Sequence, residues 1–240
     1  MKARIAAAVC AALAAGLEAS PDPAPPAYAG RGRPPVLLVG DSMVVALGRA
    51  MEKTLAETGT PSAVTCSSFG TGLARPSLFD WEAKIDALAA AARPEIAVAV
   101  FGVDDRQPVE TAAGAVAYDR ADEWRAAYAE HVGRTMDRLA AHGVRRIVWL
   151  QLPDMRDRPW QEHARLVNGI VADEAAARTN TVALFDLGPV LSRRPGTYTR
   201  YVMMGDGSAL TVRDPDGIHL SAEGARLVAS TLLKAFGDAP

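Results

Sequence analysis

Ser42, Asp216 and His219 have the residue types that nucleophilic catalysis needs. Ser42 follows Gly40-Asp41 at the end of an apolar run, and Asp216 and His219 are three residues apart in the segment DPDGIHLS. A serine hydroxyl needs a base to become a nucleophile, and a carboxylate can hold the imidazole of that base in the right tautomer. The pattern therefore predicts that His219 removes the proton of Ser42 and that Asp216 orients His219.

Two further segments are candidates for stabilising an oxyanion. Gly72, in a loop that follows the second apolar run, can bring its backbone N–H close to a substrate oxygen. The third apolar run ends in FGVDD, which places Asp104 and Asp105 side by side at the end of a predicted strand. Adjacent carboxylates raise each other's pKa, so a compensating interaction is expected there.

Five short apolar runs alternate with stretches of helical period along the chain. The predicted strands are residues 34–40, 62–70, 95–102, 144–153 and 181–187. This alternation predicts a three-layer α/β/α fold with a five-stranded parallel sheet in the flavodoxin-like order 2-1-3-4-5. Because the carboxyl ends of such strands share one rim, we expect the loops that carry the candidate residues to meet there.

Residues 188–215 interrupt the alternation before the last predicted helix. Within them, YTRYVMMGDGSALTVR has the pattern of a β-hairpin that turns at Gly205-Asp206-Gly207. Such a hairpin could overhang the rim and present Tyr198, Tyr201 and Arg213 to a sugar or an anionic acceptor. The alternative is a hairpin that only packs against the domain.

Each candidate also has a purely structural explanation. Ser42 could cap a helix, His219 could be a satisfied interface histidine, and Gly72 could be a turn residue. Asp216 could cap the last helix, although Ser221 is the residue that we expect there. The joint occurrence of the candidates at one predicted rim favours a catalytic site.

No metal, cofactor or nucleic-acid partner is predicted. The histidines outside the candidate site, His131, His142 and His163, are expected at the protein surface. No cluster of Cys, His and Asp has the spacing of metal ligands, and no glycine-rich nucleotide-binding motif follows a strand. A net charge of −2 without a basic face argues against binding to nucleic acid.

The candidate segments resemble the sequence blocks of the SGNH (or GDSL) hydrolases. GDSM resembles the GDSL signature with Met43 in place of Leu, GTGL resembles the second block, and DGIHLS resembles the last block. GLARPSLFDW, WLQLPDMR and RDPDGIH are similar to segments of a periplasmic branch of that superfamily. The resemblance covers residues 35–236 and implies acyl-ester hydrolysis or transfer without a metal. It also implies that Gly72 is the oxyanion-hole glycine, with Gly70 as the less favoured choice.

The third block departs from the SGNH pattern at one residue. The family pattern Gly-x-Asn-Asp becomes Gly-Val-Asp104-Asp105 in this chain. The expected Asn donates an N–H to the oxyanion, and the loss of one such donor costs roughly 3–4 kcal/mol. Either Asp104 stays protonated and donates an O–H, or the N–H groups of Ser42 and Gly72 suffice. Asp105 is expected to hydrogen-bond the local backbone and order the loop.

The first 30 residues have the pattern of a secretory signal peptide. Lys2 and Arg4 precede a short apolar run, and Ala27-Tyr28-Ala29 resembles a cleavage site. The run is too short to span a bilayer comfortably. A protein with this pattern is expected in the periplasm or secreted. The expected division is a signal peptide over residues 1–29, a linker over residues 30–34 and one SGNH hydrolase-like domain over residues 35–240.

The expected function is that of a periplasmic serine esterase or O-acyltransferase. Its expected substrates are acyl esters, foremost acetyl esters, of a glycan such as a polysaccharide or peptidoglycan. The alternative is an SGNH-fold binding protein of the cell envelope with a weak or inactive site, which the Asp104 carboxylate would explain. After removal of the signal peptide the chain contains one cysteine, Cys66, which we expect to be buried and to form no internal disulfide.

Overall fold

The structure is a computed structural model that describes residues 34–58 and 62–237. The predicted signal peptide, and the predicted linker except for Pro34, lie outside the described residues. The described residues form nine strands and six helices: β1 Val36–Gly40, α1 Val44–Thr58, β2 Ala63–Ser67, α2 Trp81–Ala92, β3 Ile96–Val100, β4 Val109–Thr111, β5 Gly114–Val116, α3 Ala121–Ala141, β6 Arg146–Gln151, α4 Arg158–Ala176, β7 Val182–Asp186, α5 Gly188–Leu191, β8 Tyr201–Met203, β9 Ala209–Thr211 and α6 Ala222–Gly237.

The main sheet contains five parallel strands in the order β2-β1-β3-β6-β7. Counted along the chain without the hairpin strands, this is the order 2-1-3-4-5, so the predicted topology is confirmed. Leu38 pairs with Thr65 of β2 on one side and with Val98 of β3 on the other. Every residue of β1 is buried, as its continuous apolar run predicts, whereas the edge strand β7 is partly exposed.

Helices cover the sheet on both faces and form the two outer layers of the fold. Helix α1 packs against α6 on one face, and α2, α3 and α4 pack in succession on the other. This division follows from the right-handed crossover that joins parallel strands, since the chain reverses direction across the sheet after β2. A row of aromatic rings crosses the core, where Trp81 lies 4.9 Å from Phe101 and Phe101 lies 5.7 Å from Trp149 between centroids.

Two small hairpins lie outside the main sheet. The hairpin of β8 and β9 precedes α6 and confirms the predicted hairpin. The hairpin of β4 and β5 was not predicted, because three-residue strands are too short to show a period in the sequence. Its turn is held by the Thr111 hydroxyl, which donates to the carbonyl oxygen of Gly114 at 2.7 Å.

Two of the three histidines that were expected at the surface are buried, so that expectation is wrong for them. His131 bonds through Nε2 to the carbonyl oxygen of Glu110 in β4 at 2.8 Å. His163 bonds through Nε2 to the carbonyl oxygen of Gly102 at 2.7 Å, and burial lowers its pKa to about 4. The loop between β3 and α3 covers both residues, and this cover cannot be inferred from helical period alone.

Cys66 is buried, as expected, and it forms no disulfide within the described residues. Among the same residues, no helix is both long enough and apolar enough to cross a membrane.

Helix α6 begins at a side-chain cap. The hydroxyl of Ser221 accepts a hydrogen bond from the N–H of Gly224 at 3.0 Å and donates to the carbonyl oxygen of Thr211 in β9 at 2.7 Å. Ser221 therefore joins α6 to the hairpin and confirms the predicted cap.

Replacement of this cap tests its contribution to stability. We expect Ser221→Ala to lower the free energy of unfolding by about 1–2 kcal/mol, because a helix N–H and a partly buried carbonyl both lose their bond to the hydroxyl. Urea unfolding measures the change. Ser230→Ala is the matched control on the same helix, where the hydroxyl only donates to the carbonyl oxygen of Leu227, and its cost should stay within about 0.5 kcal/mol. Equal costs in both variants would contradict the cap.

Candidate active site

Ser42, His219 and Asp216 form one continuous hydrogen-bonded chain. Ser42 lies between the end of β1 and the start of α1, and its Oγ is 2.7 Å from Nε2 of His219. Nδ1 of His219 is 2.6 Å from Oδ2 of Asp216. An ionised carboxylate can only accept, so Nδ1 carries the proton and Nε2 accepts from the serine hydroxyl. The structure thus brings together the three residues predicted from the two sequence segments.

Asp216 also fixes the turn that carries His219. Its Oδ1 accepts hydrogen bonds from the N–H of Ile218 at 2.8 Å and from the N–H of His219 at 3.0 Å. Partial burial alone would raise the pKa of Asp216, but the hydrogen bonds from the His219 side chain and from both N–H groups outweigh it and lower the pKa. Asp216 is therefore ionised at neutral pH, as an acceptor from Nδ1 must be.

Asp41 joins the loop after β1 to the loop after β3. Its carboxylate is fully buried and accepts from the N–H groups of Met43, Gly102 and Val103 at 2.9–3.0 Å. Burial, together with the Asp104 and Asp105 carboxylates, raises the pKa of Asp41 well above its ordinary value. The role of Asp41 was not predicted from the sequence. Its position between Gly40, at the end of β1, and Ser42 was the one feature that could have indicated it.

Asp105 joins the loop after β3 to the loop after β2. Its carboxylate is fully buried and accepts from the N–H groups of Leu73 and Ala74 at 3.0 and 2.8 Å, and from the hydroxyl of Tyr128 at 2.7 Å. The expected role in ordering the loop is confirmed by these contacts. Burial raises the pKa of Asp105 to about 6 against the pull of these three donors.

The two glycines after β2 have different surroundings. A Cβ on Gly72 would lie 2.1 Å from Oδ1 of Asp105, so a glycine is needed there for the close approach of that carboxylate. The N–H of Gly70, in contrast, donates to Oδ2 of Asp104 at 3.1 Å. The geometry therefore favours Gly70, the less favoured choice of the sequence analysis, as the glycine that faces the serine.

Asp104 places its carboxyl group next to the candidate nucleophile. Besides the N–H of Gly70, the backbone and the hydroxyl of Ser42 interact with this carboxyl group and lower its pKa. Partial burial raises the pKa of Asp104 above its ordinary value and outweighs these hydrogen bonds and the attraction of the nearby His219. Asp104 thus faces the two N–H groups that could bind an oxyanion.

The hairpin residues do not share one environment. Arg213 is only 1% exposed and its guanidinium bonds to carbonyl oxygens of the protein, which contradicts its expected contact with a substrate. Tyr198 is half-buried, and its ring centroid lies 5.1 Å from the guanidinium carbon of Arg213. Tyr201 is 51% exposed on β8, so it alone of the three presents most of its side chain to solvent.

A family model described as "Protein of unknown function (DUF459)" matches residues 35–235 of the sequence. The chain belongs to the DUF459 family. No curated protein sequence matches it.

The fold of this DUF459 protein is similar to several solved structures. A protein described as a candidate SGNH hydrolase from Slackia heliotrinireducens is 20% identical, with a TM-score of 0.55, and the match covers 86% of this chain and 100% of that one. A catalytic mutant of the acetylxylan esterase Axe2 from Geobacillus stearothermophilus is 16% identical, with a TM-score of 0.56 and coverages of 87% and 96%. The salicylyl-acyltransferase SsfX3 from a tetracycline biosynthetic pathway is 12% identical, with a TM-score of 0.51 and coverages of 88% and 57%. At these identities the likeness is one of fold, and it confirms the α/β fold that the resemblance to the SGNH/GDSL hydrolases implies.

In the described part of this DUF459 chain, no group of three or more His, Cys, Asp or Glu side chains is placed to hold a metal ion.

The raised pKa of Asp105 predicts how the stability of the protein depends on pH. The pKa of Asp105 is about 6 in the folded state, raised from 3.8, so the folded state favours the protonated carboxyl group. The protonated group therefore stabilises the fold fully below about pH 3.8, and this stabilisation is lost as the pH rises through about 6. The difference corresponds to about 3 kcal/mol. Relative to Asp105→Asn, which cannot ionise, the wild-type free energy of unfolding should fall by about this amount between about pH 4 and pH 7.

Urea unfolding at several pH values measures this difference. Asp41 and Asp104 remain in both proteins, so the difference reports the titration of residue 105 together with its effect on the pKa of Asp41. Asp119→Asn, at an exposed position between β5 and α3, is the control and should follow the wild-type curve. Parallel curves for the wild type and Asp105→Asn would show that burial does not raise the pKa of Asp105.

Proposed function

We propose that this protein is an exported serine esterase or O-acyltransferase that acts on acyl esters, foremost acetyl esters, of a glycan. The observation that carries the proposal is the continuous chain from Ser42 Oγ through His219 to Asp216, with distances of 2.7 and 2.6 Å. This chain lies at the carboxyl-terminal rim of the parallel sheet, where α/β folds bind their ligands.

The proposed reaction proceeds through an acyl-enzyme. Ser42 Oγ attacks the acyl carbonyl carbon while Nε2 of His219 takes the hydroxyl proton, and Asp216 stabilises the imidazolium that forms. His219 then gives this proton to the leaving alkoxide oxygen as the ester bond breaks. Water or a sugar hydroxyl attacks the acyl-serine in the second half, loses its proton to His219, and Ser42 Oγ recovers a proton as it leaves.

The proposed oxyanion donors are the N–H groups of Ser42 and Gly70. In the structure the Asp104 carboxyl group faces these same donors. An ionised Asp104 competes with the substrate oxygen for them and repels the developing negative charge, whereas a protonated Asp104 can donate an O–H to the oxyanion. The proposed active form therefore has a protonated Asp104.

The proposed substrate class rests on three supports. One fold neighbour is described as an acetylxylan esterase and another as an acyltransferase, and both terms name the transfer of an acyl group. The signal-like pattern of the first 30 residues favours an envelope location, where acylated glycans occur. Tyr201 is the one hairpin candidate with a largely exposed ring that a sugar could contact.

A second candidate function is that of an envelope binding protein that keeps the fold without turnover. The Asp104 carboxyl group favours it, because a permanent negative charge at the oxyanion donors would abolish catalysis. The two functions differ in whether Ser42 reacts.

Reaction of Ser42 with an activity probe tests the proposal. We expect the purified chain to be labelled by a fluorophosphonate and to hydrolyse p-nitrophenyl acetate. Ser42→Ala should abolish labelling and lower kcat by about 10⁴-fold or more, because the nucleophile is lost. Ser208→Ala, at the exposed hairpin turn, is the control and should retain both activities. Equal rates in the wild type and in Ser42→Ala, without labelling, would favour the binding protein.

The charge of Asp104 leads to a separate prediction for the pH dependence of kcat/KM. The pKa of Asp104 is raised, and ionisation blocks the oxyanion donors, so wild-type kcat/KM should fall as the pH rises through this pKa. Asp104→Asn should remove the fall and raise kcat/KM at about pH 8 by roughly tenfold or more, because an amide N–H replaces a negative charge. Asp119→Asn serves again as the control. A lower activity with an unchanged pH profile would rule out a protonated donor at position 104.

A further inference from the structure

Arg213 lies in the interior beneath the turn that carries Asp216 and His219. Its guanidinium donates to the carbonyl oxygen of Ile218 at 2.7 Å and to that of Asp154 at 2.6 Å, and its Nε donates to the carbonyl oxygen of His219 at 3.3 Å. Burial lowers the pKa of Arg213 to about 10, so the side chain is still charged at neutral pH. A buried cation in this setting is held by carbonyl oxygens of the turn and of the loop after β6.

Arg156 approaches the same turn from the loop between β6 and α4. Its guanidinium donates to the carbonyl oxygen of Pro215 at 2.6 Å and to that of Asp216 at 2.9 Å. Its backbone N–H donates to the carbonyl oxygen of Gly217 at 3.2 Å. Arg156 therefore contacts the first three carbonyl oxygens of the turn.

The glycine of the turn makes this approach feasible. Gly217 has a φ of +80°, and a Cβ there would lie 2.6 Å from Cβ of Arg156 and 2.9 Å from its guanidinium carbon. Any side chain at position 217 would be strained and would push Arg156 away. The DGIH segment thus needs its glycine for the contact with Arg156 as well as for the bend.

Together the two arginines bond every carbonyl oxygen from Pro215 to His219. Arg156 bonds the first three of these five carbonyls and Arg213 bonds the last two, with a longer contact of 3.4 Å to Gly217. Asp216 binds the N–H groups of the same turn from within. The fork of a guanidinium suits this pattern, because it offers five donors in fixed directions that a lysine lacks.

We propose that Arg156 and Arg213 are positioning residues that hold the turn of residues 215–219, so that Asp216 and His219 stay in line with Ser42. The proposal rests on the proposed function and deepens it, since neither arginine touches the substrate. A shift of about 1 Å in a catalytic group can cost about 100-fold in rate. The two arginines therefore act on the rate of the chemical step rather than on substrate binding.

Arg156→Gln is the main test, because Arg156 is exposed and its loss leaves the core intact. With p-nitrophenyl acetate as the probe, we expect kcat to fall by about 10-fold to 100-fold while KM stays within about twofold. Arg158→Gln is the matched control two residues away at the start of α4, where the side chain pairs only with Glu162 at 2.7 Å, and kcat should be unchanged. Equal kcat values in the wild type and in Arg156→Gln would overturn the proposal.

A double-mutant cycle shows whether Arg156 acts through the turn. In a His219→Ala background, Arg156→Gln should cost less than about twofold, because the base that the turn positions is already lost. Losses that multiply in the double variant would mean that Arg156 affects the rate by another route, and the proposal would be wrong.

Hydrogen exchange separates failure of this inference from failure of the proposed function. In Arg156→Gln and in Arg213→Lys, the N–H groups of Ile218 and His219 should exchange at least about tenfold faster than in the wild type and in Arg158→Gln. If the wild type neither reacts with the fluorophosphonate nor hydrolyses the ester while exchange accelerates, the proposed function fails and the positioning of the turn is supported. If exchange is unchanged in Arg156→Gln, the positioning itself is refuted, whether or not Ser42 reacts.

Discussion

The site depends on two buried carboxylates whose hydrogen-bond donors come largely from loops other than their own. A carboxylate out of water is costly unless each oxygen receives donors. Asp41, after β1, takes two of its N–H donors from the loop after β3, and Asp105, after β3, takes its N–H donors from the loop after β2. None of these loops can move without leaving a buried charge or an amide unpaired. The requirement to satisfy the two acids therefore fixes the rim on which Ser42 lies.

The burial of acidic groups between these loops has an electrostatic cost, and this cost is concentrated at the rim of the sheet. Each of the three acids there, Asp41, Asp104 and Asp105, has a pKa above its ordinary value, chiefly because of burial. Asp41 and Asp105 are bonded by donors that hold the loops in place. Asp104 instead faces the N–H groups of Gly70 and Ser42, which the proposed reaction needs as oxyanion donors. Asp41 and Asp105 hold the loops, and the charge of Asp104 raises the pKa of both. Of the three acids, only Asp104 faces Ser42.

Much of the fold could be predicted from the sequence, because buried parallel strands appear as apolar runs that alternate with helices. The strand order, the hairpin before α6 and the Ser221 cap are confirmed. Ser42, Asp216 and His219 could also be predicted, because their residue types and their places in the sequence segments are those of a catalytic serine, acid and base. The rest could not be predicted because it depends on contacts between distant segments. The burial of His163 and Arg213 follows from the carbonyl oxygens of distant loops, and the preference for Gly70 over Gly72 follows from the contact between Gly70 and Asp104.

The hydrogen bonds on the two sides of the proposed proton path are complementary. On the serine side, carboxylates bind backbone N–H groups, and on the histidine side, Arg156 and Arg213 bind backbone carbonyl oxygens. Both sides hold the backbone, so the reacting side chains gain fixed positions without direct neighbours that would compete for their protons. Asp104 is the exception, because it interacts with Ser42 itself as well as with the loop that carries Gly70. A change at Asp104 can therefore alter the chemistry of Ser42 while Asp41 and Asp105 keep the rim in place, which makes position 104 the point where activity and structure are separable.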